Sequence, residues 1–194
     1  MYGYLKTPEQ VKTSPIPPQS LVLKLKTVNL EDDYDVENKN DSHIAKSLVL
    51  NCMDFRIQEE VMTHMYGRSN AGDFDYFVLA GSSLGYNDSK HKHHSIDGSW
   101  AKSYEEHIKL AIKLHSITEI IIVDHMDCGF FAHIYGDKMT KMDEYKHHID
   151  NVSDCIKTLM KLSITKPITH YVGFLVTEEK KDKWKTEKIY EKNV

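Results

Sequence analysis

Two short motifs, each at the end of a strand-like run, limit what this chain can fold into. Ser47-Leu48-Val49-Leu50 leads to Cys52-Met53-Asp54-Phe55-Arg56, and Ile120-Ile121-Ile122-Val123 leads to His125-Met126-Asp127-Cys128-Gly129. Two thiols and one imidazole are the ligand set of an open zinc site, with a fourth position left for water. Cys52 and His125 lie 73 positions apart, so only a fold that sets two sequence-distant strands together can join them. A parallel sheet does this, and its chemistry falls just beyond the carboxyl ends of its strands, where both motifs stand.

The rest of the chain supplies such a sheet. The pattern predicts strands at Ser47–Asn51, Phe74–Leu79, a third ending at His125, and Ile168–Val176. Helices are predicted over Ile57–Tyr66, Trp100–His115 and roughly Thr140–Leu162, the last with an apolar seam of Met142, Tyr145, Ile149, Val152, Ile156 and Leu159. Ala80–Gly85 reads as a loop, Tyr86–Gly98 as a polar insertion, and Glu178–Lys192 as a charged tail. Strands alternating with helices give an α/β fold, a mainly parallel sheet with helices on both faces. Residues 1–46 read as an N-terminal arm: Pro15, Pro17 and Pro18 break helices, Leu21–Leu25 alternates like a short strand, and Glu31–Ser42 is an acidic linker. Residues 47–194 are then a zinc-binding α/β catalytic domain.

Charge narrows the partners. With 25 basic and 29 acidic residues the net charge is −4, which gives no electrostatic case for nucleic acid or an anionic membrane surface. No apolar run approaches a membrane span. Met1–Ser20 is polar and proline-bearing and does not read as a secretory signal. Three cysteines, two of them in ligand-like contexts, argue against a disulfide framework and for a cytoplasmic location.

The cysteines have other readings. Both could be ordinary buried thiols, but their placement at strand ends favours ligands. A cysteine nucleophile in an anion-binding loop needs an Arg five or six positions later. Ile57 and Gln58 follow Cys52 at that distance, and His133 and Ile134 follow Cys128. Beside Cys52, the pair Asp54 and Arg56 offers an acceptor and a fixed cation, and a neighbouring cation keeps a carboxylate charged.

Cys-x-Asp-x-Arg followed by His-x-x-Cys-Gly resembles the two signatures of the β-class carbonic anhydrases, and the similarity runs from about Leu48 to Val176. Phe55 stands where a small residue is usual, and Leu79-Ala80-Gly81-Ser82-Ser83 replaces an Arg-Asn-Ala-Gly-like stretch, so the chain looks like a divergent branch. The resemblance implies zinc held by Cys52, His125 and Cys128, with Asp54 and Arg56 as the catalytic dyad. It implies reversible hydration of CO2 to bicarbonate by hydroxide generated at the zinc, and a homodimer or higher homo-oligomer. Asp54 either accepts a hydrogen bond from that hydroxide or ligates zinc itself; the family implies both states. A CS2 or COS hydrolase using the same site, and a zinc-stabilised scaffold without turnover, are the alternatives.

Lesser candidates complete the reading. His91, His93 and His94 are assigned to a solvated insertion, His147 and His148 to the exposed side of their helix, and Cys155 to packing. Asp127 either braces its turn or orients an imidazole. Phe55 either walls a substrate pocket or fills core. Gly81 and Ser82 offer donors near a substrate, and Gly129 lets the backbone turn away after Cys128.

Overall fold

The computed structural model describes residues 44–68, 73–91, 98–181 and 183–194, with backbone alone for 89–91. The expected features within residues 1–43, and His93 and His94, lie outside the described residues. Five strands form one sheet in the order β2-β1-β3-β4-β5: β1 (Ser47–Asn51), β2 (Phe74–Val78), β3 (Glu119–His125), β4 (His170–Lys180) and β5 (Lys183–Asn193). The first four are parallel, and β5 runs antiparallel to β4. The α/β architecture read from the sequence is therefore present, with one added antiparallel edge.

Every residue of β1 and β3 is buried. That is why both read as unbroken apolar runs: a central strand covered on both faces has no polar side to show. Alternate residues divide between two cores. Leu48, Leu50, Ile120, Ile122 and Tyr171 pack with helices α2 (Ser83–His91), α3 (Ser99–His115) and α5 (Lys141–Met160). Val49, Ile121, Val123, Val172 and Phe174 pack with α1 (Gln58–Arg68) and α4 (Gly129–Tyr135). In the parallel register Asn51 faces Val123. The segments after β1 and β3 thus leave the sheet at the same, carboxyl-terminal end of the strands, side by side, and these are the two motifs.

Three expectations are corrected. The polar insertion from Tyr86 begins instead as α2, and Tyr86 is fully buried against Tyr104, edge to face. Local polarity gave way to packing, because Tyr86 and Asn87 point into the body while Asn87 Nδ2 donates to Asn151 O on α5. The charged tail is β5, an edge strand whose lysines and glutamates face solvent while Trp184, Ile189 and Tyr190 pack inward; charged edges of this kind discourage pairing with further strands. The inward face of α5 is turned from the predicted seam. Met142 is exposed, and His148, Asn151, Val152, Cys155, Ile156 and Leu159 are buried. His148 is wholly enclosed rather than on the outside, and Cys155 is a packing residue as expected.

Candidate metal centre

After Asn51 the chain leaves the sheet through Cys52, and Asp54 caps a 3-10 turn (Phe55–Ile57) by accepting the backbone N–H of Arg56 on Oδ1 at 3.0 Å. That cap sends the chain directly into α1 and holds the motif in a tight loop. On the neighbouring strand His125 is the last residue of β3. The turn that follows is made at Asp127, whose φ of 59° is left-handed. Gly129 opens α4 with no positive φ, so Asp127 and not Gly129 provides the change of direction; aspartate tolerates this conformation better than most side chains.

The two loops bring Cys52, His125 and Cys128 together: their ligand atoms all lie within 4.8 Å of one another and all three residues are buried. His125 Nδ1–H donates to Met126 O at 2.9 Å. With Nδ1 carrying the proton, Nε2 presents a bare lone pair, and it is buried without a hydrogen-bond partner among the described residues. A polar atom in that state costs free energy unless something occupies it. The thiols are paired unequally. The hydrogen bond from Cys128 outweighs burial and lowers the Cys52 pKa below the usual thiol range. Cys128, the partner of that thiolate and itself buried, is pushed up. The backbone N–H of Gly81 also donates to Cys52 Sγ at 3.4 Å. A divalent ion would draw the protons from both sulfurs on binding. A soft divalent ion with a tetrahedral preference suits two sulfurs and an imidazole nitrogen. The donor set fits zinc.

Beside the cluster, Arg56 grips Asp54 through Nε (3.0 and 3.2 Å) and Nη2 (2.7 Å). Those hydrogen bonds hold the Asp54 carboxyl below its ordinary range and raise the guanidinium. Asp54 Oδ2 stands 3.9 Å from His125 Nε2. Arg56 reaches across to the second motif as well, with Nη1 2.7 Å from Asp127 Oδ2 and Nη2 2.9 Å from Asp127 O. Asp127 therefore braces the two loops together, and the orienter of His125 is a backbone carbonyl.

A cleft of about 330 Å³ opens on this arrangement, lined by Cys52, Asp54 and Cys128 together with Ala80, Gly81 and Phe130. Gly81 has φ 68°, and a side chain there would collide with Phe130. Ser82 does not face the cleft; its hydroxyl is buried and donates to Leu50 O. Phe55 neither fills core nor walls this cleft. It is 85 % exposed and lines a separate hollow with Arg56 and Trp184.

Two features escaped the sequence reading. Gln58 at the start of α1 donates from Nε2 to both Cys52 O (2.9 Å) and Asp54 O (2.7 Å). Its Oε1 accepts from Tyr76 OH (2.9 Å) and Asn51 Nδ2 (3.1 Å). The second is the buried His148. Burial alone would lower its pKa, but the hydrogen bond to Asp124 and the nearby carboxylate of Glu144 prevail and raise it. A Glu and a His four apart on one helix, Glu144 and His148, is the signal that could have disclosed it.

An uncharacterized protein of Rickettsia bellii is 30% identical over 117 residues, which cover 59% of this chain and 68% of the relative. Another, from Rickettsia conorii, is 30% identical over 118 residues, 58% of this chain and 60% of the relative. Among solved structures, a carbonic anhydrase of Streptococcus mutans matches with a TM-score of 0.47 at 14% identity, covering 77% of this chain and 85% of that one. A tetrameric β-carbonic anhydrase of Sordaria macrospora matches at 0.48 and 16%, covering 73% and 80%. At such scores and identities the likeness is too slight to bear on activity. The model of the family described as "Putative carbonic anhydrase" matches residues 42–189, most of the chain and both motifs, and the chain belongs to that family.

Proposed function

We propose that this protein is a zinc-dependent carbonic anhydrase that interconverts CO2 and bicarbonate, with the activity in residues 47–194 and residues 1–46 as an arm. The observation that carries this reading is the buried, unpartnered Nε2 of His125 facing two thiols, with the Asp54–Arg56 pair at its rim. Cys52, His125 and Cys128 would hold the ion. Zinc, when bound, brings the pKa of a coordinated water toward about 7, so that hydroxide is available at neutral pH.

The chain's own groups do the rest. Asp54, kept ionised by Arg56, is an acceptor only, and at 3.9 Å from His125 Nε2 its Oδ2 can take a hydrogen bond from the attacking oxygen and leave a lone pair free for carbon. Arg56 occupies both Asp54 oxygens and is itself anchored to Asp127, which fixes the carboxylate at the rim of the cluster. Ala80, Gly81 and Phe130 give the cleft apolar walls, which suit a small linear substrate without charge.

No helix among the described residues is long and apolar enough to cross a membrane. The three free cysteines suit a reducing compartment, and we assign the protein to the cytoplasm. Met53 and Phe55, 67 % and 85 % exposed on either side of Asp54, support a homodimer closing over this rim, which light scattering on the purified protein will test.

The experiment is stopped-flow CO2 hydration on protein of measured zinc content, with COS and CS2 assayed in parallel. Asp54→Asn is expected to keep its zinc and lose at least about 100-fold in rate, in the range of a positioned acid–base group. Turnover retained in a metal-free Cys52→Ala/Cys128→Ala protein would defeat the proposal.

A further inference from the structure

Behind the candidate metal centre lies a chain of buried polar groups that no step above uses. Asp124, one residue before His125, accepts Ser83 N–H on Oδ1 at 3.1 Å and Ser83 Oγ–H on Oδ2 at 2.6 Å. His148 Nδ1–H donates to the same Oδ2 at 3.0 Å. The other ring nitrogen of His148 faces Glu144 Oε1 at 3.7 Å, and that oxygen accepts the backbone N–H of Cys128 at 3.1 Å. The imidazole is also clamped against the ring of Phe131 on α4, centroids 3.8 Å apart. Asp124 and His148 side chains have no exposed surface, and Glu144 little.

These contacts reach all three ligand-bearing segments. Asp124 fixes the end of β3 at His125. Glu144 fixes the Cys128 loop, and Phe131 the helix that follows it. Through Ser83, Asp124 also holds the turn whose Gly81 N–H points at Cys52 Sγ. His148 is the member that joins the two carboxylates. We propose that His148 is a positioning residue which, by bridging Asp124 and Glu144, sets Cys128 and His125 in ligating position before an ion arrives. This rests on the metal-centre reading given above and adds to it a residue on α5 that touches neither ion nor substrate. Outer-shell partners of this type orient ligands, and their loss typically costs about 10- to 100-fold in metal affinity.

The test uses the metal-free full chain under reducing, chelator-free conditions, titrated with Co2+, whose thiolate charge-transfer bands report the ligand set directly. Dissociation constants come from competition with a chromophoric chelator, and chemical denaturation measures stability. His148→Leu is expected to weaken Co2+ binding about 10- to 100-fold and to alter the band shape. His148→Asn, which can keep a donor toward Asp124, is expected to recover part of the loss. Cys155→Ala, another buried change on the same face of α5, is expected to lower stability while leaving affinity and spectrum as in the wild type. Unchanged affinity in His148→Leu, or equal losses in His148→Leu and Cys155→Ala, would overturn the inference while leaving the metal centre standing. Wild-type protein that takes up no Co2+ would overturn both. If His148→Leu does not fold, Glu144→Gln decides by the same readouts, since it keeps an acceptor for Cys128 N–H but not the charge that faces His148.

Discussion

Gln58 opens α1 with its amide turned back beneath the loop that carries Cys52 and Asp54. Both carbonyls of that loop point at one Nε2, and Oε1 is taken by Tyr76 and Asn51. One side chain therefore ties a candidate ligand and a candidate acid–base group to two strands. Substituting Gln58→Leu keeps the size but strips donors from two loop carbonyls, and unsatisfied groups of this sort cost about 1–3 kcal/mol. The expected outcome is a stability loss in that range by urea denaturation, together with a fall in CO2 hydration rate at equal zinc content. A rate equal to wild type on fully loaded Gln58→Leu would show that the loop holds its geometry without the amide. Sequence alone did not disclose this residue. A glutamine at the start of a helix has many exposed roles, and only the tertiary approach of Tyr76 from β2 makes it a clamp.

Within α1 the half-buried His64 lies edge-on to the ring of Phe174 on β4, centroids 4.6 Å apart, and its Nε2 is buried with no hydrogen-bond partner among the described residues. Burial first, and then the charge of Arg68, lowers its pKa below the usual 6.5. The sign follows: above pH 6.5 the ring is neutral whether the chain is folded or not, and its packing contributes fully. As pH falls through 6.5 the unfolded chain takes up the proton first, and the folded state loses stability. Urea midpoints at pH 7.5 and 5.5 will show a smaller drop for His64→Leu than for the wild type, and an equal drop would refute the assignment.

The elements also show what the pattern of residues could carry. β1 and β3 were legible because two-sided burial favours apolar side chains on both faces, as over Leu48–Leu50 and Ile120–Val123, and both motifs followed from where those runs stop. α2 was not, since Ser83-Leu84-Gly85-Tyr86-Asn87-Asp88 has the polarity and glycine of a loop, and its helix depends on Tyr86 and Asn87 finding partners on α3 and α5. β5 was hidden by its Lys and Glu residues, which mark an edge in contact with water as readily as a solvated tail. The inward face of α5 was misplaced because a seam drawn from apolar side chains passes over His148, a buried residue whose enclosure depends on Asp124 and Glu144.

At the scale of the whole molecule, the candidate centre lies where the second β-strand neighbour pair ends, joining loops from opposite sides of a 73-residue separation. An ion held there bonds to the folded state and to very little of the unfolded chain, so binding and folding are one equilibrium. Zinc free at about 100 times its dissociation constant would add about 2.7 kcal/mol. For a chain of this length each kcal/mol moves the melting temperature by about 2–4 °C, so a rise of about 5–10 °C is expected when zinc is returned to chelated protein. Arg56→Ala leaves the three ligand side chains in place and is expected to show most of the same rise. In Cys52→Ala/Cys128→Ala a single imidazole remains, and the melting temperature should not respond. Calorimetry in a non-chelating reductant reads all three. A wild-type transition that saturating zinc fails to move would mean that the thiols and the imidazole, close as they are, do not act together as a binding site, and the proposed chemistry would lose its support.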